Sequence, residues 1–253
     1  MRIVIKVGSS VLSDRGLLCA SRINSLVELL QELHRTHEVL LVTSGAVAAG
    51  HGVVPALSNK KTSDRQALAA VGQALLMRHY AKSFEPFGIH VAQILLTKDD
   101  FASFSHSENA LSAVNTLLSH KILPIINEND TVVIDELLRG DNDQLSAKVA
   151  FHFDADLLVI LSDIDGYYDQ NPHTHAGAKM LPRVEQIPAQ ALSDLASPHD
   201  EFATGGIVTK LKAADFLMQR GKQMYLASGF DLAPVRRFLI EGVQERGTLF
   251  CAP

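Results

Sequence analysis

Short runs of Val, Ile and Leu, too apolar to show one wet and one dry face, recur along the chain with longer segments of helical period between them. The runs predict strands at Arg2 to Val7, Glu38 to Thr43, His90 to Leu95, Ile122 to Ile126, Asp156 to Leu161 and Gln223 to Ala227. Helical spacing predicts helices at about Ser21 to Thr36, Ser63 to Phe84, Ser107 to Ser119, Gln144 to His152, Gly206 to Arg220 and Leu232 to Glu241. A strand that is apolar nearly throughout must be covered on both faces. Strands of that kind, each followed by a helix, predict an α/β fold with a parallel sheet between helical layers. In such sheets ligands bind beyond the carboxyl ends of the strands, so function is expected in the loops after Val7, Thr43, Ile126, Leu161 and Ala227.

With 253 residues, 47% hydrophobic and 20% charged, the chain can bury a large core, and disorder is excluded. A net charge of −5 and no basic run longer than Lys60-Lys61 argue against nucleic acid or an anionic membrane as the main partner. Cys19 and Cys251 lie at opposite ends without CxxC spacing, which points to a reducing compartment and away from a cysteine zinc site. The opening MRIVIKVGSS is broken at Lys6 and reads as a strand, not a signal peptide. No stretch reaches the roughly 18 uninterrupted apolar residues of a membrane span. A soluble cytoplasmic protein is expected. The segment TVVIDELLR, Thr131 to Arg139, is a candidate hairpin, and the three prolines between Asn171 and Pro188 mark a linker. A boundary near residue 170 would then separate two lobes of one domain that share a sheet.

Lys6 ends the first strand and is followed by Gly8-Ser9-Ser10. A lysine in an apolar strand needs a partner for its ammonium, and a neighbouring glycine lets backbone N–H groups approach an anion, which suits a phosphate. The competing reading is an edge-strand lysine that snorkels to water. Thr43 to Gly50, TSGAVAAG, offers either room for a ligand against backbone amides, with the Ser44 hydroxyl orienting a carboxylate, or tight packing through Ala and Gly. Asn127-Glu128-Asn129-Asp130 and Gly140-Asp141-Asn142-Asp143 form the densest polar cluster. Turns and helix caps use the same residues, but this cluster lies where an α/β sheet binds ligands. Amides and carboxylates without arginine suit a ligand with an ammonium group, such as a free amino acid.

Thr204-Gly205-Gly206-Ile207-Val208-Thr209-Lys210 opens a predicted helix. Exposed first-turn N–H groups, the helix dipole and Lys210 one turn in together suit a phosphate, although the GxxxxGK[ST] signature is absent. The alternative is a glycine-started helix with a solvated lysine. The loop Ser162-Asp163-Ile164-Asp165-Gly166-Tyr167-Tyr168 can hold a base and ribose through Ser162, Asp163 and a tyrosine, and turn chemistry alone also produces D-x-D-G. His173 and His175 lack acidic or cysteine companions at metal spacing and are read as loop residues, so no protein metal site is assigned.

Taken together, VIKVGSSVL, VTSGAVAAG, PIINENDTV, GDNDQLSA, LSDIDGYYDQNP and FATGGIVTKLKAA resemble, in their order and over essentially the whole chain, the amino acid kinase family. The resemblance implies a three-layer αβα sandwich of the carbamate kinase-like kind with a mainly parallel central sheet. It is closest to the branch that phosphorylates the L-glutamate γ-carboxylate with ATP and Mg²⁺, the first step of proline biosynthesis. By that resemblance Lys6 and Lys210 stabilise the transferring phosphoryl group and Asp143 holds both lysines. Ser44, Asp130 and Asn142, supported by Asn127, bind glutamate. Ser162, Asp163 and Thr204, Gly205, Gly206, Ile207, Val208, Thr209 and Lys210 bind ATP, with Lys6 reaching the same phosphates. Residues 1–170 would form the glutamate lobe and 171–253 the nucleotide lobe, without the RNA-binding-like PUA domain of many bacterial members. Also implied are feedback inhibition by proline, with the loop His51 to Thr62 as a candidate contributor, a homodimer or homotetramer, and a glutamyl phosphate reductase as partner. Kinases of N-acetylglutamate, aspartate or UMP are the rivals within the family, and a non-catalytic amino-acid or nucleotide sensor on the same fold is the rival outside it.

Overall fold

The computed structural model describes residues 1–252 except 59, 98, 133–141, 173, 176 and 194–205. The strands are β1 Arg2–Val7, β2 Ser13–Asp14, β3 Leu17–Leu18, β4 Glu38–Val42, β5 Val91–Leu96, β6 Leu123–Glu128, β7 Leu157–Ser162, β8 Arg183–Val184, β9 Gln223–Ser228 and β10 Thr248–Phe250. Eight of them form one sheet in the order β5-β6-β4-β1-β7-β9-β10-β8, and β2 and β3 form a separate hairpin. From β5 to β9 every pairing is parallel; β10 reverses against β9, and β8 runs alongside β10. β1 lies between β4 and β7, so the chain builds one half of the sheet on each side of its first strand.

Alternation along the strands sends side chains to two cores. Ile3, Ile5 and Val7 pack toward the helices Ala20–His34 and Thr62–Phe84, whereas Val4, with Leu40, Val42, Ile126 and Ile160, packs toward Asp143–His152 and Ile207–Met218. Lys6 shares the face of Val4. Its ammonium is therefore directed at the two helices whose first turns carry Asp143 and Lys210. This is the three-layer α/β sandwich with a mainly parallel sheet that the resemblance implies.

The long predicted elements are present with ends shifted by a few residues, as fraying ends usually are. His90 to Leu95 becomes β5 and Ile122 to Ile126 becomes β6. The helix expected from Ser107 begins at Phe104, because the Ser103 hydroxyl accepts from the His106 N–H and caps it. Leu232 to Glu241 divides into Ala233–Arg236 and a wider π turn Arg237–Glu241, which stops at Gly242 with φ 72°. Short elements escaped the periodicity: the helices Ser9–Leu12, Ala46–His51 and Ala189–Ser193, the strands β8 and β10, and the β2–β3 hairpin. That hairpin turns through Arg15 and Gly16, both at positive φ, the pairing of a type I′ turn. Of the candidate hairpin Thr131 to Arg139, Thr131 and Val132 form a turn and the remainder lies outside the described residues. No described helix is long and apolar enough to cross a membrane.

Ala46–His51 and Thr62–Phe84 cross almost backbone to backbone. A Cβ on Gly72 would stand 1.8 Å from the Ala46 carbonyl oxygen, and one on Gly50 would stand 2.0 Å from that of Leu68. Packing therefore explains Gly50, helix against helix, while Ser44 and Gly45 at the head of the same segment remain at the strand end.

Candidate active site

Three buried charges meet where β1 ends. Lys6 Nζ donates to Asp143 Oδ1 at 2.5 Å, and Lys210 Nζ donates to Asp143 Oδ2 at 3.0 Å. Relative exposures are 3%, 5% and 0% for Lys6, Lys210 and Asp143, so the snorkelling alternatives for both lysines fail. Thr209 Oγ1 lies 3.1 Å from Asp143 Oδ2, and Gln144 Nε2 donates to the Thr209 carbonyl at 3.1 Å, locking the two helix starts together. Two ammonium groups on one carboxylate leave the trio with one net positive charge. Two buried ammonium groups held at a strand end are placed to meet the phosphate oxygens of a ligand that binds there.

The surroundings fit a polyphosphate. Gly206 stands at the N-cap of the helix Ile207–Met218 and brings no side chain of its own, and a helix start of this kind is where an anion binds. Gly8 sits in extended backbone that any residue adopts, and its N–H donates to the Leu161 carbonyl at 3.2 Å. A Cβ there would lie 3.8 Å from Lys6 Nζ, in the space before the ammonium. Across the sheet, Ser162 is buried and donates to Asp163 Oδ1 at 2.8 Å, while Asp163 itself is exposed. Ile207 packs against the second core, so its side chain serves the fold. Thr204, Gly205 and Asp141 lie outside the described residues. Among the described residues no group of three or more His, Cys, Asp or Glu gathers at metal-ligand spacing. Mg²⁺ is compatible with this donor set when its ligands are phosphate oxygens and water, the usual arrangement in phosphoryl transfer.

Beside the charges lies a cluster of amides. Asn142 Nδ2 donates to the Thr43 carbonyl at 2.7 Å and to Asn127 Oδ1 at 2.8 Å, and lies 3.4 Å from Ser44 Oγ. Both amide hydrogens therefore point into the protein, and no hydrogen bond among the described residues uses Asn142 Oδ1. Asn127 Oδ1 also accepts the Glu128 N–H at 2.9 Å, and its Nδ2 donates to Gln73 Oε1 at 2.8 Å. Thr43 Oγ1 is 2.8 Å from the Tyr80 hydroxyl, whose titration burial pushes above the ordinary phenol range. Asp130 is half-buried two residues beyond β6, at the same edge of the sheet.

Residues 1–228 match the amino acid kinase family. The chain belongs to the amino acid kinase family. The glutamate 5-kinase of Helicobacter hepaticus is 48% identical over 250 residues, covering 99% of this chain and 94% of that protein. The glutamate 5-kinase of Wolinella succinogenes is 52% identical over 254 residues, covering 98% and 97%. The crystal structure of UMP kinase from Ureaplasma parvum superposes with a TM-score of 0.67 at 14% identity over 99% of this chain and 98% of that one, a likeness of fold alone.

In this amino acid kinase the fold brings Lys6, Asp143, Lys210 and Thr209 into one cluster and Ser44, Asn127 and Asn142 into a second. The neighbours Asn142 and Asp143 join the two. Gln73 was not foreseen. Its signal was available: the buried stripe of its helix runs Ala69, Gln73, Leu76, Tyr80, Phe84, and Gln73 is the polar member without a reason to be there. The Thr43 carbonyl carries no such signal, because a backbone acceptor has no letter in a sequence.

Proposed function

We propose that this amino acid kinase transfers the γ-phosphoryl group of ATP to the γ-carboxylate of L-glutamate, giving L-glutamyl 5-phosphate and ADP at the entry to proline synthesis. The observation that carries the reading is the buried Lys6–Asp143–Lys210 bridge beside the linked amides of Asn127 and Asn142. The names borne by relatives about half identical to the chain supply the substrate.

A γ-carboxylate with an intrinsic pKa of about 4.3 is already the nucleophile at neutral pH, so no general base is needed. One carboxylate oxygen bonds to the γ-phosphorus as the bond to the ADP oxygen breaks, and no proton moves. Lys6 and Lys210 neutralise charge on the transferring group from two sides, and Asp143 fixes the separation of their ammonium groups. Ser44, Asn142 and Asp130 hold glutamate in line, while Ser162, Asp163 and the helix start at Gly206 hold ATP. Mg²⁺ would supply further charge neutralisation on the phosphates. The lobe of residues 1–170 would serve glutamate and that of 171–253 the nucleotide. Proline as an inhibitor at the glutamate pocket, a homo-oligomeric cytoplasmic enzyme and a reductase that removes the acyl phosphate complete the proposal.

The test is ATP turnover with Mg²⁺ and hydroxylamine as an acyl-phosphate trap, across glutamate, N-acetylglutamate, aspartate and UMP, with and without proline. Hydroxamate from glutamate alone, suppressed by proline, is expected. Product from another acceptor would overturn the substrate, and silence with all four would leave a sensor. Lys210→Ala should lower kcat by about 10²-fold with glutamate binding retained, the scale of losing one transition-state donor. Near-normal turnover would remove Lys210 from the chemistry.

A further inference from the structure

We infer that Gln73 is a positioning residue that makes this site selective for a substrate carrying a free amino group. The inference rests on the glutamate reading above and deepens it. Two backbone groups that cannot be reversed anchor a chain of amides. The Glu128 N–H can only donate, so Asn127 turns its Oδ1 toward it; the Thr43 carbonyl can only accept, so Asn142 turns its Nδ2 inward. Asn127 Oδ1 also receives Asn142 Nδ2, and the chain continues outward from Asn127 Nδ2 to Gln73 Oε1 and from Gln73 Nε2 to Gln93 Oε1 at 3.0 Å. Every amide points the same way.

The consequence falls on the atom left over. With both of its amide hydrogens spent on the protein, Asn142 presents its carbonyl oxygen to the ligand space, and a carbonyl oxygen accepts hydrogen bonds. It suits an ammonium and offers nothing to a group without N–H donors. Gln73 is the link that accepts from Asn127 and passes the chain on to Gln93. Without its Oε1, Asn127 Nδ2 is a buried donor with no acceptor, the costliest state for an amide, and Asn127 shifts to find one, carrying with it the Asn142 amide that donates to its Oδ1. The shift would draw Asn142 Oδ1 away from the substrate ammonium. Gln73 reaches this position because Gly72, its neighbour, lets the helix Thr62–Phe84 press against Ala46–His51.

The experiment compares glutamate with glutarate, which keeps both carboxylates and lacks the amino group, in the parent chain, Gln73→Met and Gln73→Glu. Methionine matches glutamine in length and removes the acceptor. The glutamate KM should rise about tenfold in Gln73→Met, the cost of one unpaired buried amide, and the kcat/KM preference for glutamate over glutarate should fall by a similar factor. The KM for ATP should stay put. Glutamate at position 73 still accepts from Asn127 and, when protonated, also donates to Gln93, so Gln73→Glu should return the glutamate KM to near the parent value.

An unchanged preference in a folded Gln73→Met, or equal losses for glutamate and ATP, would reduce Gln73 to a packing residue. Urea midpoints report folding. If methionine prevents folding, Gln73→Glu carries the test: a glutamate KM raised about tenfold over the parent, despite a normal midpoint, would overturn the inference. No glutamate-dependent turnover in the parent chain would overturn the glutamate reading and this inference together, whereas an active parent with an unmoved preference overturns the inference alone.

Discussion

Asp143 is the residue on which the site turns. Its two oxygens each hold one ammonium, and all three groups are buried, so the pairing is maintained without help from water. Replacing such a group leaves charges buried without their counter-ion, a change that costs about 3–5 kcal/mol in comparable pairs. Asp143→Asn should therefore lower the urea midpoint as well as turnover, and a non-hydrolysable ATP analogue should recover part of the lost stability by supplying the missing negative charge. A variant with normal stability and low turnover would mean that the lysines find another partner. The amide of Asn142, one residue earlier, works differently. It carries no charge, and its hydrogen bonds to the Thr43 carbonyl and Asn127 Oδ1 set which end is turned inward.

The elements matter through their ends and their crossings. Strand β1 delivers Lys6, and the first turns of Asp143–His152 and Ile207–Met218 deliver its partners, because alternation along β1 puts Lys6 on the face those helices cover. On the opposite face, Thr62–Phe84 delivers Gln73 and Tyr80 to Asn127 and Thr43. That delivery depends on a crossing with no room for a side chain at Gly72 or Gly50. Gly72→Ala should destabilise the protein by about 1–3 kcal/mol, the usual cost of overpacking, and should raise the glutamate KM by shifting Gln73. Calorimetry and steady-state kinetics would check the two effects. A stable Gly72→Ala with unchanged kinetics would show that the helices can separate freely. The periodic pattern identified the long helix but gave no hint of its partner, since Ala46–His51 is too short and too rich in small residues to carry a helical stripe.

At the scale of the whole molecule, the sheet closes through its C-terminal return. β10 pairs back on β9, the Tyr225 hydroxyl donates to the Arg246 carbonyl, and the Tyr225 ring stacks on Phe238 at 4.1 Å between centroids. Burial pushes the Tyr225 phenol up to about 12, and Tyr80 is raised in the same direction. An unfolded tyrosine titrates near 10, so between about pH 10 and 12 the unfolded chain has given up protons that the folded chain keeps. Stability is unaffected by these groups below pH 10 and falls as pH rises through that window. Thermal unfolding should show the fall, and Tyr225→Phe should remove part of its slope; an equal slope in the variant would assign the alkaline loss elsewhere. The sequence by itself determined the alternation of strands and helices, pointed to the strand ends as the place for chemistry, and singled out two lysines for which a buried phosphate partner and a solvated end were both open. Those features are local, written in period, charge and glycine. That Asp143 holds both lysines was an expectation of the family resemblance; only the tertiary structure decided that Gly50 and Gly72 serve a helix crossing and that Gln73 and the Thr43 carbonyl lie against the amides. Each of these is a contact between segments distant in the chain, and a backbone carbonyl or the direction of an amide leaves no mark on the order of residues.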